Sequence, residues 1–114
     1  MTKLNHLATS VRLSITNPKA ESGSVFGRGV ANLCLGVRDK GSLNAAAKGM
    51  GMAYSKAWRI VKDTEKALGI DLLIRDGAHG SVLSPAGNQL VDSYFAIQEK
   101  ISQEALKLYQ ELNA

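Results

Sequence analysis

Residues 7–16, LATSVRLSIT, alternate strictly between two sides. Leu7, Thr9, Val11, Leu13 and Ile15 face one way, and Ala8, Ser10, Arg12, Ser14 and Thr16 the other. A period of two with β-branched residues predicts a half-buried strand. NPKAESGS at 17–24 is turn-rich and predicts a loop, after which Val25 and Phe26 read as a short second strand. From about Gly27 the period becomes helical. Val30, Leu33, Cys34 and Val37 form an inward stripe that runs to Lys40, and Gly41 ends it. Gly29 and Gly36 weaken this helix, and close approach of another helix is the reason expected for them.

Residues 41–68, GSLNAAAKGMGMAYSKAWRIVKDTEKAL, read as two helices joined by a glycine-bearing turn. Ser42 is a good N-cap, because its hydroxyl can accept an unpaired N–H of the first turn. Three alanines at 45–47 favour helix and allow close packing. Gly49 and Gly51 bracket Met50 and offer the left-handed backbone that stops a helix. The next helix starts near Ala53. Its apolar face holds Ala57, Val61 and Leu68, with Tyr54 and Trp58 at the edges, and Trp58 is expected to anchor it in the core. Lys56, Arg59, Lys62 and Lys66 recur every three or four residues on another face. Such a helix packs inward and meets phosphates outward. A lysine-rich face is most often mere solvated surface. Asp63 and Glu65 dilute the charge, and Asp63 is placed to pair with Arg59. What raises the nucleic-acid reading is the helix-turn-helix spacing with a hairpin after it.

That hairpin is read from Leu72, Leu73 and Ile74 and from Val82 and Leu83, with turn chemistry over Asp76–Ser81. Arg75 and His79 are its candidate phosphate or minor-groove contacts. Ser84 then caps a last helix with Pro85 at its first position. Leu90, Tyr94, Ile97, Ile101, Ala105, Leu108 and Leu112 form its stripe, in steps of three and four. A helix of this length, roughly 40 Å, outruns a body this small. Its distal part is therefore expected to pack on a second copy through Tyr94, Ile97, Ile101, Ala105, Leu108 and Leu112. The alternative is that it packs on the N-terminal strand of its own chain.

These elements predict an α+β fold, a winged helix-turn-helix with an N-terminal strand or hairpin and a long C-terminal dimerisation helix. Residues 1–114 form one domain: a strand region at 1–26, helices at 27–68 with the helix-turn-helix at 43–68, a wing at 71–83 and the dimerisation helix at 85–112. A length of 114 residues suits one modest core. The net charge of +4 suits a polyanionic partner. The single cysteine, Cys34, excludes an internal disulfide and reads as a buried thiol. No apolar run reaches the roughly 18 residues needed to span a membrane, and no signal-peptide pattern opens the chain, so a cytoplasmic protein is expected.

GSLNAAAKGMGMAYSKAW followed by LSPAG closely resembles the DNA-binding domain of ModE-type molybdate-responsive transcriptional regulators, a branch near the LysR-type winged helices. The matching positions are Gly41, Ser42, Ala46, Ala47, Gly51, Met52, Tyr54, Ala57, Trp58, Leu83 and Gly87, and the entry at Phe26, Gly27 and Gly29 is also similar. Three departures stand out. Ala53 replaces the family's serine, removing an N-cap worth about 1 kcal/mol. The wing, GAHGS, is short. The family's downstream molybdate-binding domains do not lie within these residues. The resemblance implies a sequence-specific, homodimeric transcription regulator for which molybdate is an effector not bound by this chain. Double-stranded DNA is the expected partner. Ser55, Lys56 and Arg59 would meet base edges and nearby phosphates. Tyr54, Lys62 and Lys66 would meet the backbone, with Arg75 and His79 on the wing. The alternative is a winged helix kept for dimerisation or partner binding after losing DNA affinity.

An enzyme is not expected. No nucleophile elbow or HExxH occurs, and GVRDKGSL at 36–43 lacks the ending of a phosphate-binding loop. His6, His79 and one cysteine do not make a zinc site, and neither cofactor nor metal is expected.

Overall fold

The computed structural model describes residues 3–75 and 80–114. Four helices and one hairpin follow in the order α1 (Arg28–Lys40), α2 (Leu43–Gly49), α3 (Tyr54–Leu68), β1 (Leu73–Arg75), β2 (Ser81–Leu83) and α4 (Pro85–Leu112). This is the winged helix-turn-helix expected from the pattern.

Local chemistry accounts for each boundary. Gly41, at φ 86°, takes the left-handed position that ends α1. The Ser42 hydroxyl accepts the Ala45 N–H at 3.0 Å and starts α2. Gly51, at φ 66°, turns the chain toward α3, and the Met52 N–H bonds back to the Ala47 carbonyl at 2.9 Å. Gly49 stays inside α2, so one glycine of the pair makes the turn. Ser84 caps α4 by accepting the Gly87 N–H, with Pro85 in the first turn.

The inward stripe of α1 is buried as expected and packs against Leu43, Ala46 and Ala47 of α2 and Ala57 and Val61 of α3. Gly36 explains itself, because a Cβ there would lie 2.7 Å from the Ala46 Cβ. The expectation fails for Gly29, where nothing lies within 4 Å. Leu72, Leu73 and Leu83 root the hairpin in the core, with Leu73 opposite Leu83, Ile74 opposite Val82 and Arg75 opposite Ser81.

The N-terminal strand is the main departure. Residues 9–16 alternate in burial, with Thr9, Val11, Leu13 and Ile15 half-buried and their neighbours exposed, whereas Leu7, expected on the same side, is exposed; the segment forms no ladder. Their pairing is one bridge between Ile15 and Phe26. The segment lies along α4. Gln98 donates to the Val11 carbonyl and accepts the Leu13 N–H at 2.8 Å, and the Tyr109 hydroxyl donates to the Leu4 carbonyl. A helix side chain thus supplies the backbone partners that a neighbouring strand would have offered.

Candidate nucleic-acid interface

The sequence gives α3 two unlike faces. At 100° per residue, Ala57, Val61 and Thr64 fall together, and all three are buried. Ser55, Arg59, Lys62 and Lys66 fall on the opposite side and are exposed, with Lys56 and Asp63 on one flank. The expected cationic face therefore exists as one surface. The N-terminus of α3 carries no side-chain cap, as Ala53 implied.

Trp58 was expected in the core and is not there. It lies on the other flank of α3 at 39% exposure, stacked on Tyr54, which is 48% exposed. Its place at the margin of the apolar face left its direction open. Ala57, Val61 and Thr64 occupy the buried face, and Trp58, about 100° around the helix from Ala57, falls beside it.

Lys62 also has partners within the protein. Its ammonium lies 3.0 Å from the Glu65 carboxylate and 4.4 Å from the centre of the Trp58 ring. It is thus held within the protein as well as facing outward. Glu65, read from sequence as a diluting surface charge, is buried. Its other oxygen accepts the backbone N–H groups of Leu72 and Leu73 at 2.7 and 3.2 Å. One carboxylate therefore ties α3 to the root of the hairpin and fixes the angle between them. Among the described residues, the ion pair on α3 is Lys62 with Glu65, not Arg59 with Asp63.

A cleft of about 700 Å³ opens between α3 and the hairpin. Tyr54, Trp58 and Lys62 line one wall, Ile74 and Arg75 the other, and Ser42 and Asn44 of the α2 start lie at its end. Arg75 is thus brought to the same side as α3. His79 lies outside the described residues. Cys34 is buried, and its thiol is pushed up to about 12, first by burial and then by the nearby Glu65 carboxylate. It stays protonated at neutral pH and offers neither nucleophile nor thiolate ligand.

The expected dimerisation residues divide. Tyr94 belongs to the chain's own core at 2% exposure, edge-on to Phe26 at 5.8 Å, and so leaves the set. Ile101 and Ala105 are half-buried, whereas Ile97, Leu108 and Leu112 are exposed, Leu112 at 83%. No helix among the described residues is long and apolar enough to cross a membrane.

Comparison with known proteins then bears on this geometry. Residues 32–88 match the profile of the family described as bacterial regulatory helix-turn-helix protein, lysR family. That match runs from within α1 through α2, α3 and the hairpin to the start of α4. No curated protein matches the chain. A crystal structure of the CbnR DNA-binding domain in complex with DNA has a TM-score of 0.60 at 23% identity, over 74% of this chain and 95% of that one. The structure of CbnR, a LysR family transcriptional regulator, has a TM-score of 0.58 at 23% identity, over 71% of this chain and 28% of that one. At such identity these likenesses establish the fold. The family is one of regulators, not of enzymes.

Proposed function

The chain belongs to the LysR family of bacterial regulatory helix-turn-helix proteins, and from that premise we propose that it binds duplex DNA as a homodimer and regulates transcription. The observation that carries this reading is the outward face of α3. Ser55, Arg59 and Lys66 are exposed on it while the opposite face is packed, and Arg75 stands beside it on the hairpin. A helix so disposed enters the major groove with its cations near phosphates and its N-terminal half near base edges. Ser55, Lys56 and Arg59 are assigned to base edges and adjacent phosphates, Lys66 and Arg75 to phosphates, and His79 to the wing.

The homodimer is proposed on the distal half of α4. The 28-residue helix is about 42 Å long, and the chain extends 63 Å along its major axis. A radius of gyration of 17.1 Å exceeds the about 13 Å of a compact domain of this length. Ile97, Ile101, Ala105, Leu108 and Leu112 form the proposed contact, flanked by the N-terminal segment that the chain lays on α4. The finer placement among molybdate-responsive regulators rests on Gly51, Met52, Tyr54, Ala57 and Trp58. In that reading molybdate is an effector that this chain does not itself bind. A competing reading, an interaction module without DNA affinity, draws on the missing cap at Ala53.

Selection of bound sequences from random duplex DNA tests the proposal. A two-fold symmetric consensus is expected. Failure to enrich any sequence contradicts DNA recognition, and a lone asymmetric half-site contradicts the dimer. On the selected duplex, Arg59→Ala should relax preference at one base pair by about 1–3 kcal/mol, because an arginine at that depth can bond guanine bidentately. Equal weakening on selected and scrambled DNA would make Arg59 a phosphate contact instead.

A further inference from the structure

The aromatic flank of α3 stays partly open to solvent among the described residues, with Tyr54 48% and Trp58 39% exposed. Tyr54 and Trp58 stack with ring centroids 6.4 Å apart and planes 22° from parallel. Both line the cleft between α3 and the hairpin, and Ile74 of β1, also exposed, faces them across it. Exposed apolar surface gathered at one place in a soluble domain marks a contact site. The cations Arg59 and Lys66 on the adjoining face and Arg75 on the opposite wall fit a polyanion. The occupant must therefore be anionic along its length and apolar at the point that reaches the rings.

We propose that Tyr54 and Trp58 read thymine C5-methyl groups in the major groove, as specificity-determining residues of the DNA-binding surface assigned above, on which this inference rests. In a duplex whose bases stay stacked, the thymine methyl is the apolar group displayed at the major-groove edge. Rings on the flank of a groove-entering helix meet that edge, whereas phosphates alone would need no aromatic surface. The indole is also held in advance. Lys62 lies 4.4 Å from its ring centre, and the Lys62 ammonium is bonded to the buried Glu65. A ring fixed by a cation on one side loses less freedom on binding and discriminates a single methyl better. Lys62 is thereby a positioning residue for Trp58 as well as a charge.

The test uses the wild-type chain on its selected duplex, with each thymine replaced singly by deoxyuridine. This removes the methyl and leaves the hydrogen-bonding pattern intact. Binding should weaken about fourfold at one or two positions of each half-site, the weight of one buried methyl. Trp58→Ala should remove that difference, and Trp58→Phe should keep part of it. A uniform response to deoxyuridine at every position, or a consensus lacking thymine, overturns the proposal while leaving DNA binding intact. So does a Trp58→Ala chain that still discriminates at the same positions. A wild-type chain that binds no duplex overturns the underlying reading as well. The wild-type comparison stands alone, so a poorly folding variant does not spoil it.

Discussion

Glu65→Ala should destabilise the fold by about 3 kcal/mol and weaken DNA binding at temperatures where the variant remains folded. The substitution strands the N–H groups of Leu72 and Leu73, both buried, which now donate to one carboxylate oxygen. Each unsatisfied buried donor costs about 1–3 kcal/mol, and hydrogen bonds to a charged acceptor lie at the upper end. The Lys62 ammonium loses its partner at the same time, which frees Trp58. Glu65→Gln keeps an accepting oxygen and should cost roughly half as much. The urea midpoint of the three proteins measures this. A loss below about 1 kcal/mol for the alanine variant would mean that water replaces the carboxylate and that Leu72, Leu73 and Leu83, with the Ser84 bonds to the Asp71 and Leu72 carbonyls, suffice to hold the hairpin.

Phe26→Ala should cost about 4 kcal/mol, in the range for a fully buried phenylalanine. The ring is wholly inaccessible and meets Tyr94 edge-on at 5.8 Å. Its backbone exchanges both hydrogen bonds with Ile15. The cavity would open between α1 and α4 at the point where the N-terminal segment is bridged to the body. A fall in melting temperature of roughly 15 °C is expected. Amide exchange over residues 7–15 should speed up with it. A change of only a few degrees would show that the site collapses around the missing ring.

These two residues also show what sequence reveals. The ends of α2 and α4 and the hairpin strands were legible because Ser42, Ser84, Pro85 and the flanking glycines act through bonds within a few residues. Glu65 was not legible, since its partners are backbone N–H groups seven and eight positions away, and an acidic residue on a basic helix reads as solvated. The alternation gave the half-buried side correctly from Thr9 to Ile15 and failed at Leu7, and a period of two does not say what covers it. Here it is α4, with Gln98 standing in for a strand. Tyr94 and Ile97 share one stripe, yet the body covers the first and leaves the second open. That boundary depends on where the other helices end, which no stripe records. Trp58 stands at the margin of the apolar face of α3, and helical spacing does not say to which side of that margin a ring falls.

The claim that α3 and the hairpin form a DNA-binding surface is tested most directly by the affinity of the wild-type chain for duplex DNA at salt concentrations between about 50 and 200 mM. Lys56, Lys66 and Arg75 are exposed and offer three cations per subunit for phosphates. A log–log slope of about −2.7 for one subunit, and about −5.4 for a dimer, is expected. A flat response, or no binding at the lowest salt, would contradict it and leave the fold as an interaction module.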